Sequence, residues 1–181
     1  SINCIIYHAD CTDGFGAAYS AWKCLGNRAE YHACKHGTPP PDVKGKVVAI
    51  LDFSYDNTTT KKMIKESDGL IIIDHHKVDE PLPKCSAHIN PSRKEDDSFL
   101  NDLAAVGLTF IFIVGLRRAI RELSLYPDIN EPSLKQYLDL VALGTVCDVV
   151  QLKGLNRAFV KEGIDVIAKK QRLGIEGLRA I

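Results

Sequence analysis

The chain has 181 residues, 45% of them hydrophobic, and no net charge. That is enough apolar material for one large domain or two small ones, and it excludes a globally disordered chain. The charge balance excludes a polycation that coats nucleic acid non-specifically, so any such contact must come from a local patch or a metal site.

Residues 3–7 read as a first strand, and residues 14–25 (GFGAAYSAWKCL) as a helix that Gly26 ends. Residues 30–32 read as a short strand. Pro39, Pro40 and Pro41 mark a loop over 35–45. A strand over 46–52 follows, then an amphipathic helix over 56–67 with Asp56 or Asn57 as N-cap. Residues 70–74 form the central strand, and residues 87–89 a shorter one closed by Asn90 and Pro91. This alternation predicts a parallel sheet with helices on its faces. Residues 92–102 are polar and loop-like, and beyond them helices are predicted over 103–123, 133–144 and 156–170. Pro127 and Pro132 punctuate the first of these links. The expectation is a single α/β domain over 1–181. A mostly parallel sheet flanked by helices occupies 1–91, and a more helical second part occupies 92–181.

The six cysteines form no C-x-x-C pair, and several lie in apolar runs. This is the usage of a reducing cytosol, so free thiols and a cytoplasmic address are expected. No signal peptide is read at the start, and no membrane role is expected. The longest apolar run, 106–116, is well short of the ~20 residues that span a bilayer.

Chemistry concentrates where apolar runs end. The aliphatic run 69–73 (GLIII) leads straight into Asp74-His75-His76, and its β-branched content suits a strand buried on both faces. Similar runs lead into His8 and Asp10 and into Asp52, and a fourth acid, Asp148, follows Val141–Cys147. In open α/β sheets, ligands bind at the carboxyl ends of the strands. Carboxylates and imidazoles converging there would repel one another without cations. His8, Asp10, Asp13, Asp52, His75 and Asp148 supply the mixed oxygen and nitrogen donors that suit two divalent ions, Mn²⁺ above all and Mg²⁺ as an alternative. Such a pair activates water and neutralises a phosphoryl group, which points to hydrolysis of a phosphate ester or anhydride. The start of the helix after Gly14 would add free N–H groups for an anion, and Gly14 and Gly16 permit close backbone approach.

These residues in this order resemble the four motifs of the DHH phosphoesterases: His8/Asp10/Asp13-Gly14, Asp52, Asp74-His75-His76, and Gly144-Thr145-Val146-Cys147-Asp148. The resemblance implies a manganese-dependent phosphoesterase with those six ligands and Asp52 as the bridge. Asp74 would support the site and His76 would face the scissile phosphate. Residues 3–77, with HADCTDGFGAAYSAW and ILDFSY, resemble small stand-alone members of the family. Residues 82–181, with LDLVALGTVCDVVQLKGLNRAFVKEGI, resemble RecJ exonucleases. The RecJ likeness implies a 5′-to-3′ exonuclease on single-stranded DNA. The alternatives are a phosphodiesterase of short oligonucleotides or cyclic dinucleotides, and a metal-free scaffold of the same fold. Asn90, Arg93 and Arg117 are candidate substrate contacts, whereas His32, His36 and His88 fit no motif and read as surface or packing residues. Trp22 and Met63 read as packing residues.

The first motif departs from the family, in which two acids stand one residue apart. Here two residues separate Asp10 from Asp13, and either Asp10 or Cys11 takes the first acid's place. A thiolate there would favour a softer metal. The C-terminal DHH-associated domain that usually grips substrate is not found in the sequence, which sets no oligomeric state.

Overall fold

The computed structural model describes residues 1–77, 83–124, 133–169 and 172–180. Pro127, Pro132 and Lys170 lie outside them. Five parallel strands, β1 (Cys4–His8), β2 (Glu30–Cys34), β3 (Val47–Leu51), β4 (Gly69–Ile73) and β5 (Ala87–Ile89), form one sheet in the order β2-β1-β3-β4-β5. The strand bounds fall within two residues of those expected from sequence. Helices α1 (Thr12–Leu25) and α2 (Asn57–Glu66) belong to the first part of the chain. Helices α3 (Ala105–Glu122), α4 (Leu138–Cys147), α5 (Gly154–Ala168) and α6 (Leu173–Arg179) belong to the second.

Side-chain alternation explains why the strands read as unbroken apolar runs. Cys4, Ile6, Val48, Ile50, Leu70 and Ile72 point to one face, where Met63 of α2 and Phe53 cover them. Ile5, Ala49, Leu51 and Ile73 point to the other, under Ala17 of α1 and Leu108 of α3. Helix α3 also joins the helical layer, where Ala104 and Val106 pack with Leu138, Val141 and Val166. Met63 is buried as expected, but Trp22 is not: it lies 44% exposed on α1, next to Tyr19 and Lys23.

Asp56 caps α2, its carboxylate accepting from the N–H groups of Thr58 and Thr59 at 2.9 and 3.0 Å. The second part differs more from expectation. Residues 134–137 form a separate 3₁₀ turn, and α4 runs past the expected end at 144 to Cys147, so Asp148 caps its C-terminus. The short helix α6 has no counterpart in the sequence reading.

The strand order places the site. The chain passes from β1 outward to β2 and then returns to β3 on β1's other side, so the direction of winding reverses between β1 and β3. A crevice opens at such a switch point, beyond the carboxyl ends of the strands. His8 ends β1 and Asp52 follows β3 at that crevice.

Candidate metal centre

Asp52 is the hub. It is 1% exposed, and its backbone turns through the left-handed region at φ 66°. One carboxylate oxygen lies 3.4 Å from His8 Nδ1, and the other lies 3.3 Å from His75 Nε2. His75 Nε2 is also 3.7 Å from Asp13 and 3.8 Å from Asp148, so three carboxylates surround one imidazole. Candidate ligand atoms gather in overlapping sets, each within 4.8 Å: His8, Cys11 and Asp52; Asp52, His75 and His76; Asp13, His75 and Asp148. Gly14 makes the closeness feasible. A Cβ there would stand 2.5 Å from the His8 carbonyl and 3.0 Å from an Asp52 oxygen, so only glycine lets the start of α1 approach both strand ends.

The residues fit divalent cations on a local observation. His8 Nδ1, both Asp52 oxygens and His75 Nε2 are buried and make no hydrogen bond. Each unsatisfied buried group of this kind costs roughly 1–3 kcal/mol, and a cation between them removes that cost. The electrostatics agree. Burial, then the neighbouring Asp52, raises the pKa of Asp13 above the carboxylate range, and burial also raises Asp148. Burial opposes the charged form of His75, yet Asp52, Asp13 and Asp148 hold its pKa above the ordinary imidazole value. Burial, with Asp52 nearby, pushes the Cys11 thiol up to about 11.

Asp74 builds the support beneath. One oxygen accepts from the His75 and His76 N–H groups at 2.8 and 3.2 Å and from His76 Nδ1 at 2.8 Å, while Ser54 Oγ donates to the other at 2.7 Å. Burial works to raise this carboxyl, but the hydrogen bonds from His76 and Ser54 overcome it and lower the pKa. In return Asp74 raises the pKa of His76, whose ring is half-exposed at the mouth. Asn90 donates to the His76 carbonyl at 2.9 Å, and Ser92 Oγ donates to the His75 carbonyl at 2.8 Å.

Several expected residues lie elsewhere. Asp10, with φ 57°, turns outward and pairs with Lys35, leaving Cys11 as the first-loop group in the cluster. Asn90 is buried as a strut under the DHH segment, and with Arg93 it borders a second cavity of about 320 Å³. Arg93 is occupied by the His88 carbonyl and by Glu95. Arg117 sits twelve residues beyond the start of α3, about 18 Å along a helix. That helix begins at the site, because the Asp13 carboxylate accepts from the N–H groups of Ala105 and Val106 at 2.6 and 2.5 Å. His36, read as surface or packing, proves to be at the mouth: its ring lies 5.1 Å from that of His8 and 6.2 Å from that of His76. The usable signal was its place just after β2, since all parallel strands end on one side. A cavity of about 440 Å³ adjoins the cluster, lined by Tyr7, His8, Cys11, Phe15, Ala33 and Leu143 among others.

Comparison with known proteins gives concordant matches. Residues 3–145 match the family model described as the DHH family, N-terminal domain. The single-stranded-DNA-specific exonuclease RecJ of Dickeya dadantii (strain 3937) is 40% identical over 113 residues, covering 61% of this chain and 20% of that protein. RecJ of Escherichia coli (strain K12) is 39% identical over 112 residues, covering 60% of this chain and 19% of that protein. The chain thus spans about a fifth of the length of these curated relatives. Among solved structures, an exonuclease RecJ bound to manganese superposes with a TM-score of 0.73 at 20% identity, over 96% of this chain and 46% of that one. RecJ from Thermus thermophilus in complex with Mn²⁺ gives 0.68 at 21%, over 96% and 26%. At this identity the likeness is one of fold.

Proposed function

The chain belongs to the DHH family, and from that membership we propose that it is the catalytic part of a divalent-metal-dependent phosphodiesterase acting on single-stranded DNA, as its RecJ relatives are described to do. The observation that carries this reading is Asp52, a buried carboxylate whose two unpaired oxygens face two different imidazoles. In this reading Asp52 would help hold both cations, most suitably Mn²⁺, which tolerates carboxylate and imidazole together. His8 serves one position, and Asp13, His75 and Asp148 serve the other. When bound, the cations acidify an attacking water and neutralise phosphoryl charge.

The protein's own groups complete the chemistry. His76, fixed through Nδ1 by Asp74, presents its other nitrogen to the phosphate and holds a proton there more readily than a free imidazole. His36 and His8 flank the same space. Helix α1 starts at Thr12, four residues after His8, and N–H groups of its first turn would favour an anion there. The reading of residues 1–181 as one catalytic unit is supported by α3, which packs on the sheet through Leu108 and on the helical layer through Val106. The free cysteines suit a cytoplasmic setting, and among the described residues no helix is long and apolar enough to cross a membrane.

The second reading, a phosphodiesterase of short oligonucleotides or cyclic dinucleotides, is favoured by the cavity of about 440 Å³ beside His8, a size typical of small-molecule sites. A Mn²⁺ titration with a labelled single strand, a dinucleotide and a cyclic dinucleotide distinguishes the two. Processive shortening of the single strand is expected, abolished by His75→Ala with the fold retained. Turnover confined to the small substrates favours the second reading, and no turnover of any of them leaves only a scaffold.

A further inference from the structure

The first loop reaches the site with a sulfur where the family pattern has an acid. Cys11 precedes the first turn of α1 in an extended conformation (φ −120°, ψ 127°), with its sulfur beside the backbone N–H groups of Asp13 and Gly14. Its sulfur gathers with His8 and Asp52, the ligand atoms lying within 4.8 Å of one another. Three ligands around one tetrahedral cation at 2.0–2.3 Å stand about 3.5 Å apart, so closing the set takes only ~1 Å of side-chain movement. The nearest alternative acid, Asp10, faces away: its side chain is 76% exposed and paired with Lys35. Two partners in the set independently call for a ligand. Asp52 is 1% exposed with both oxygens unpaired, and the buried His8 Nδ1 is unpaired as well. A cysteine that only filled space would sit among apolar groups, not against a carboxylate and an imidazole.

Resting on the two-metal reading above, we propose that Cys11 is a metal ligand. The His8–Cys11–Asp52 position then becomes a mixed nitrogen, sulfur and oxygen site for a borderline-soft cation such as Zn²⁺ or Co²⁺. The position served by Asp13, His75 and Asp148, with Asp52 shared, has carboxylate oxygens in the majority and suits Mn²⁺ or Mg²⁺. The two positions therefore differ in the metals they select. Thiolate ligands pull a site toward Zn²⁺ and related ions, whereas carboxylates suit Mn²⁺ and Mg²⁺. On binding, the thiol proton passes to solvent as the sulfur–metal bond forms.

Co²⁺ spectroscopy on the whole chain, stripped with a chelator, tests this without reference to activity. Visible d–d bands report Co²⁺ binding, and a near-ultraviolet thiolate-to-cobalt charge-transfer band reports sulfur ligation. The wild type is expected to show both. Cys11→Ser should keep the d–d bands and lose the charge-transfer band, while Cys24→Ser, altered on the exposed part of α1, should keep both. Cys11→Asp should lower the ratio of Zn²⁺ to Mn²⁺ affinity by at least about tenfold. The d–d bands without charge transfer in the wild type overturn the thiolate ligand and leave the two-metal reading standing. No Co²⁺ binding at all overturns that reading, and this proposal with it. A second thiol set, Cys4 with Glu30 and His32, lies at the far end of the sheet from His8. A band that survives Cys11→Ser and vanishes in Cys4→Ser assigns the sulfur there and overturns the proposal.

Discussion

Asp52 occupies a left-handed conformation that costs a non-glycine residue on the order of 1 kcal/mol, and its carboxylate is buried without a hydrogen bond. Both are unfavourable for stability, and under the proposed two-metal reading both serve a ligand. Asp74, at the end of the neighbouring strand, shows the opposite pattern: its carboxylate is satisfied by hydrogen bonds on both oxygens, and its work is to orient. Asp74→Asn should lower kcat roughly 10–100-fold, the usual cost of losing such a supporting group, while two ions still bind. Turnover kinetics with Mn²⁺, set against ion stoichiometry by calorimetry, checks this. An unchanged kcat would remove the positioning role of Asp74. Sequence marked both acids by their places after aliphatic runs, and the family resemblance implied Asp52 as a bridge and Asp74 as support. Burial and hydrogen bonding make the two differ.

At the scale of elements, caps separate what is local from what is not. Asp56 sits one residue before α2 and was visible as its cap. Helix α3 follows Ala104, which has no capping side chain, and takes its cap from Asp13 on α1. Such a cap cannot be found by reading neighbouring residues, which is why the expected start at 103 differs from the observed Ala105. Helices α4 and α5 pass so closely that a Cβ at Gly163 would stand 2.3 Å from the Leu138 carbonyl and 2.4 Å from Ala142 Cβ. Alanine gains about 1 kcal/mol over glycine within a helix, but overlap with a backbone carbonyl outweighs that gain. Gly163→Ala should therefore lower stability by a net ~1–2 kcal/mol in denaturant unfolding. It should also weaken metal binding, because α4 delivers Asp148. A variant as stable as the wild type would show that the two helices can separate freely.

For the whole molecule, the cluster makes stability depend on pH and metal. Folding raises the pKa of Asp13 and Asp148, chiefly by burial, so the folded chain holds those protons more tightly than the unfolded chain. Stability must then fall as pH rises from the ordinary carboxylate range through the raised values. His75 is also raised, so its contribution is full below about pH 6.5 and is lost as pH passes its folded value. Asp74 is lowered, and its contribution is lost only toward acid pH, outside this window. Burial lowers the pKa of His88, which works the other way below about pH 6.5, so the metal-free protein should melt at steadily lower temperature from about pH 6.5 to about pH 9. Mn²⁺ at a hundred times its Kd should restore about 2.7 kcal/mol. Calorimetry with chelator and with Mn²⁺ checks both, and a flat metal-free profile would show that the carboxylates carry no mutual strain. The sequence by itself determined the parallel sheet, its strands and the acids and histidines at their ends, because apolar periodicity and strand-end polarity are local properties of the chain. Only the tertiary structure turned Asp10 out and Cys11 in, made Asn90 a strut, brought His36 to the mouth and ended α4 at Asp148. Those outcomes depend on backbone twist and on partners distant in sequence, and local patterns do not encode either.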